Sequence, residues 1–215
     1  TVGFNLYHRK LNYNQFQRIK TTGLSLNTGR RFRWPDDYFR GDLNLRFESN
    51  DNGESVGRYY RPGRNTEITL GAKLSRISLD NQFFPTSGSR FSLSTDYAMG
   101  SIGLGTTDYM KTEFNFEMVN PLLSVEDYDR LVLYMSTKFG HVNGVVSDTT
   151  INPIELYTMG GNGLTAYYPV IPLRGYENES IGPRNGAKVM TRTTAELRFA
   201  VTMNPMPIYV YTFAE

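Results

Sequence analysis

Again and again along this chain, apolar and polar residues alternate one by one over a stretch of about ten residues. That repetition restricts the possible folds more than any single motif does. Over 40–48, Gly41, Leu43, Leu45 and Phe47 stand against Arg40, Asp42, Asn44, Arg46 and Glu48, giving one greasy face and one charged face of mixed sign. The same rhythm runs through Val2-Phe4-Leu6, Leu24-Leu26, Ile68-Leu70-Leu74, Phe91-Leu93, Met110-Phe114-Phe116, Leu131-Leu133-Phe139, 188–201 and 208–215. A period of two belongs to strands, since a helix repeats every 3.6 residues. The chain is predicted to be all-β.

The connections alternate too. Short turns fall near Trp34, Pro85, Pro121 to Asp129, and Pro205, while long Gly-rich polar loops cover 50–65, 100–108 and 141–186. Outer-membrane barrels have this asymmetry, with short periplasmic turns and long external loops. A soluble β-sandwich or propeller also alternates, with its apolar face as core. Strand length separates the two readings: about ten to thirteen residues suits a membrane span, whereas strands in globular sheets average about five or six. Phe32, Trp34, Tyr38, Phe83 and Phe84, all near turns, fit an interfacial girdle. In a barrel, Phe47, Phe91, Phe114 and Phe116 would face lipid, and Arg40, Arg46, Lys73, Glu113, Glu117 and Arg192 would face the lumen.

Composition agrees and excludes several functions. Twenty Gly, 15 Tyr and 13 Phe in 215 residues favour strands and turns. No run approaches eighteen apolar residues and mean hydropathy is negative, which rules out a transmembrane helix but not a barrel. The absence of cysteine removes disulfides and thiolate metal sites, and His8 and His141 are too isolated to build a zinc centre. Net charge is +2, so there is no basic field for nucleic acid. The histidines have no neighbouring nucleophile, the Gly-rich stretches lack a phosphate-binding Lys-Ser/Thr sequel, and no cofactor or catalytic group is expected. Thr1 opens directly in strand-like sequence, as in a fragment or processed chain.

Within the longest connection, 170–183 reads Val-Ile-Pro-Leu-Arg-Gly-Tyr-Glu-Asn-Glu-Ser-Ile-Gly-Pro. Arg174 offers a planar fork of five donors, Gly175 lets the backbone turn or approach a wall, and Tyr176 adds an aromatic plate with a polar tip. Such a tip suits docking, although an ordinary surface loop supplies the same residues.

Several stretches together resemble the BamA-type outer-membrane insertases, a family that also includes translocation barrels of two-partner secretion and of organelle import. They are 79–94 (Leu-Asp-Asn-Gln-Phe-Phe-Pro-Thr-Ser-Gly-Ser-Arg-Phe-Ser-Leu-Ser), Met159-Gly-Gly-Asn-Gly163, Leu173-Arg-Gly-Tyr176 with Ile181-Gly-Pro183, and Ala195-Glu-Leu-Arg-Phe199. The Leu-Arg-Gly-Tyr stretch and the terminal Thr-Phe-Ala-Glu215 look most like versions from the Bacteroidota. The resemblance covers 65–215 well and the first strands by pattern only.

It implies a transmembrane antiparallel up-and-down barrel of about sixteen strands, of which about nine are present here. Residues 1–215 would be a fragment of that one domain, with an inward-folding loop at about 141–186 and with the POTRA domains and remaining strands absent. In the family the Arg-Gly-Tyr loop folds into the lumen, so the functional motif would be Leu173, Arg174, Gly175, Tyr176, Ile181, Gly182 and Pro183. Its lumenal partners would be Glu196 and Glu215, with Arg198 beside them. Arg198 departs from the pattern, because some family members carry the acid there. The implied function is folding and inserting β-barrel clients in the bacterial outer membrane, without covalent catalysis. Implied partners are membrane lipid, lipopolysaccharide, unfolded outer-membrane clients and accessory lipoproteins. A pore exporting one passenger and a soluble carbohydrate-binding β-domain are the alternatives.

Overall fold

The computed structural model describes residues 1–12, 18–53, 62–125, 128–147, 151–164, 169–202, 206 and 208–215. Nine strands form: β1 (Val2–Asn12), β2 (Arg18–Arg31), β3 (Phe39–Asp51), β4 (Arg64–Ile77), β5 (Gly88–Met99), β6 (Asp108–Val125), β7 (Tyr128–Asn143), β8 (Val189–Thr202) and β9 (Ile208–Ala214). All are antiparallel and lie in one sheet in sequence order, an up-and-down meander. Its helical elements, among the described residues, are the single 3-10 turns Gly100–Ile102 and Pro153–Glu155.

The register carries the alternation across the whole sheet. Leu26 opposes Leu45, which opposes Leu70; further on, Leu74 opposes Leu93, Leu93 opposes Phe114, and Phe114 opposes Phe139. A slip of one residue would throw each of these to the other face, so the apolar pattern itself pins the register. On the resulting outer face Phe4, Leu6, Leu43, Phe47, Phe114 and Phe199 remain exposed. Phe91 and Phe116 oppose each other on that face, whereas Arg40, Arg46, Lys73, Glu113, Glu117 and Arg192 lie on the inner one.

The burial is inverted relative to a soluble domain. The packed cluster of Ala98, Tyr109, Val142, Ile151, Tyr157, Ile171 and Met190 sits on the inner face, where the connection between β7 and β8 lies against β5 to β8. Inner polar groups are buried with it, among them Glu67, Thr69, Thr107, Thr194 and Glu196.

Two details differ from the sequence-based expectation. Pro121 does not start a turn: β6 continues through it to Val125, and the register shifts between Pro121 and Leu123 and again at Ser124. Such irregularities leave backbone groups outside the ladder, so proline's missing N–H is tolerated there. Phe84 is also not in an outer girdle. Its ring stacks on Tyr209 of β9 at 5.3 Å between centroids, so the β4–β5 turn folds inward across one end of the sheet.

That turn is held by its own side chains. Asp80 accepts from the Thr86 and Ser87 amides and the Thr86 hydroxyl, while Asn81 accepts from the Phe83 and Phe84 amides. The same Thr86 hydroxyl also lies 2.8 Å from Asp129 of β7, tying the turn to the next hairpin.

Candidate functional site

The connection between β7 and β8 is folded by backbone pairing. Tyr157 pairs with Ala187, Met159 with both Ile171 and Ile181, and Gly161 with Leu173. The Gly160 amide donates to the Ile171 carbonyl, and the Gly161 amide donates to the Tyr176 carbonyl, each at 3.0 Å. Glycine is required at this seat. Gly160 has φ 124°, and a Cβ there would lie 2.3 Å from the Glu177 carbonyl oxygen. The Met159-Gly-Gly stretch is therefore the cradle on which the Arg-Gly-Tyr segment rests.

Leu173 is buried at the edge of this small sheet, and the chain turns at Gly175 with φ 84°. Between them Arg174 reaches β8 and the end of β9. One terminal nitrogen lies 2.6 Å from Glu196 Oε1 and 2.7 Å from Glu215 Oε1. Its Nε donates to Glu215 Oε1 at 2.8 Å, and its backbone amide donates to Glu215 Oε2 at 2.8 Å. The guanidinium also stacks over the Phe213 ring, 3.8 Å from the centroid. Few residues but arginine can offer a planar fork to two carboxylates while lying flat on an aromatic face.

Glu196 does not depend on Arg174 alone. Its second oxygen, Oε2, takes Nε and a terminal nitrogen of Arg198 at 2.8 and 2.7 Å, and Arg198 packs over Tyr134 at 4.1 Å. Arg192 donates to the Pro172 carbonyl at 2.8 Å, just ahead of the motif. The Glu196 and Glu215 side chains are only 9% and 5% exposed, so each carboxylate needs these donors to offset its desolvation.

The other motif residues are arranged differently. Tyr176 and Ile181 remain 49% and 37% exposed. Gly182 and Pro183 are exposed beyond the clamp, where the Pro183 carbonyl accepts from the Gly186 amide at 2.9 Å.

A second anchor escaped sequence reasoning. Near the start of the connection Lys111 of β6 meets Glu155 at 2.9 Å and lies 4.9 Å over the Tyr157 ring. That ring occupies the space above Gly140 of β7, where a Cβ would come within 2.5 Å of it. Close by, Glu67 collects Arg46, Thr69 and Tyr109 on one oxygen and Thr107 on the other. The one available signal was Gly140 at an inward position of a strand otherwise rich in bulky residues. Among the described residues no group of three His, Asp or Glu is placed to hold a metal ion.

With this geometry established, comparison with known proteins is decisive for the family. The Omp85 superfamily domain matches residues 1–214. This chain belongs to the Omp85 superfamily. Among solved structures it is similar to BamA from Haemophilus ducreyi lacking POTRA domains 1-3, with a TM-score of 0.73 and 18% identity. The match covers 98% of this chain and 45% of that one, so the chain spans less than half of the BamA chain's length. At that identity the likeness concerns the fold: an all-β sheet matching part of a BamA barrel. No curated protein matches. Omp85 membership and the fold point to the bacterial outer membrane and do not favour the soluble carbohydrate-binding domain.

Proposed function

We propose that the chain is the middle part of an Omp85 barrel of about sixteen strands that folds and inserts β-barrel clients into the outer membrane without covalent catalysis. Further strands would pair with β1 and β9, because backbone edges left open in hydrocarbon cost several kcal/mol per unpaired group. Clients would add strands at a seam of the completed barrel by β-augmentation. Lipid, lipopolysaccharide, unfolded clients and accessory lipoproteins are the partners this role requires.

The observation that carries the reading is Arg174 held by Glu196 and Glu215 at once. One side chain joins the tip of a long loop to two adjacent strands, next to the edge at β9. With Lys111 holding Glu155 as well, the loop is tied to the inner wall at two separate points. Its role is to hold the wall in one shape while a seam elsewhere opens. A hydrogen bond to a charged group contributes about 1.5 to 3 kcal/mol, more than the roughly 0 to 1 of an exposed ion pair.

The test is replacement in cells. With the native copy depleted, full-length Arg174→Ala should lower the heat-modifiable, folded fraction of a β-barrel client, and Arg174→Lys should restore only part of it. Client folding at the wild-type level with Arg174→Ala, while the variant barrel itself migrates as folded, would overturn the proposal.

A further inference from the structure

Across the outer face of β2 to β5 runs an apolar furrow of about 510 Å³, within the usual range of ligand pockets. Small residues form its floor and large ones its banks. Leu43 opposes Ala72 and Gly41 opposes Leu74 in the register, so Gly41 and Ala72 leave a hollow between Phe32, Leu43, Leu74 and Leu93. Those four bank residues are all exposed. Phe32 leans over Gly41, where a Cβ would come within 2.8 Å of its ring.

At the turn end the furrow meets Arg30 and runs into a second hollow of about 390 Å³, lined by Arg30, Arg31, Phe32 and Arg33. The two hollows share Arg30 and Phe32. Among the described residues no carboxylate pairs with Arg30, Arg31 or Arg33, although Arg40 and Arg76 close by hold Asp42 and Asp36. Trp34, 83% exposed at the same turn, is suited to the headgroup level.

An apolar channel that ends at the guanidinium of Arg30 has the chemistry of a two-part amphiphile. The register sets Arg31 opposite Arg40 on the inner face and leaves Arg30 opposite Gly41 on the outer one. We propose that this outer wall is a binding site for one anionic phospholipid, its acyl chain in the Gly41–Ala72 furrow and its phosphate at Arg30. Guanidinium forks match phosphate oxygens, and one Arg near a membrane surface changes affinity for anionic lipid about fivefold. Short turns face the periplasm in barrels of this type, which selects a phospholipid of the inner leaflet over lipid A of the outer one. This site belongs to no step of client insertion. It rests only on the outer face being lipid-facing.

The test is native mass spectrometry of the intact barrel released from nanodiscs of mixed phosphatidylglycerol and phosphatidylcholine, with lipid A added in a parallel set. Heat-modifiable migration of each variant shows first that its barrel has folded in lipid, so a lost adduct reports on the furrow and not on the membrane reading. Wild-type barrel should retain one phosphatidylglycerol. Arg30→Gln should lower its preference over phosphatidylcholine about fivefold, and Ala72→Leu, which fills the furrow at an exposed position, should abolish the adduct. Thr191→Leu, on the same face of β8, should leave it unchanged. Preferred retention of lipid A overturns the proposal, as does equal retention by wild type, Arg30→Gln and Ala72→Leu. Loss with Arg30→Gln but not Ala72→Leu overturns it too, because it means diffuse attraction to a charged surface.

Discussion

Arg198 holds Oε2 of Glu196 at 2.7 Å, which leaves Oε1 of the same carboxylate to Arg174 at 2.6 Å. Two arginines thus share one carboxylate, each on its own oxygen. Arg198→Gln should loosen the clamp by about 1 to 3 kcal/mol, since a mostly buried carboxylate loses its second partner. Arg198→Lys should do less harm. Urea unfolding of the barrel in lipid vesicles measures both; unchanged midpoints would show that Arg198 is a bystander.

Gly140 and Tyr157 should behave as one unit. Gly140→Val forces the Tyr157 ring off β7 and should destabilise the barrel by about 1 to 3 kcal/mol through overpacking. In a Tyr157→Leu background the same change should cost much less, because the ring that it meets is gone. Limited proteolysis within 144–188 reads the loosening directly. Additive effects would contradict the contact.

The two faces of β6 should tolerate charge unequally. Phe116→Arg places a cation on the lipid-facing wall, at a cost of about 2 to 4 kcal/mol near the midplane, whereas Asn115→Arg points inward. The heat-modifiable fraction of each variant in membranes checks this, and equal tolerance would reverse the assignment.

Acid should weaken the β4–β5 turn through Asp80. Partial burial pushes its carboxyl up, but the Ser87 and Thr86 donors, with the Asn81 amide, outweigh this and hold the pKa below the ordinary value. The folded pKa is the lower one, so the contribution is fully present above the unfolded value of about 3.9 and is lost as pH falls through the folded pKa. Wild type and Asp80→Asn should therefore differ in stability by a constant amount from pH 7 to 5 and converge below about pH 4. A gap that persists at low pH would contradict it.

Alternation made the strands legible because every strand of such a wall has one face toward lipid and one toward the lumen, and Gly41-Leu43-Leu45-Phe47 states this residue by residue. It also placed Glu196 and Arg192 on the inner wall. Contacts between a loop residue and a distant strand carry no periodicity, so Lys111 with Glu155 and Tyr157 over Gly140 were not readable. Pro121 was read as a turn because a register shift leaves no local mark, and the inward fold of Phe84 depends on side-chain bonds of Asp80 and Asn81 that resemble those of any turn.

The most direct test of the clamp's role in assembly is a double-mutant cycle on Arg174 and Glu215, scored by the folded fraction of a β-barrel client in cells that depend on the variant. If the two act as one clamp, Arg174→Ala and Glu215→Ala each lower client folding, and the double variant is no worse than the poorer single one. Wild-type folding in both single variants, or losses that simply add, would contradict it.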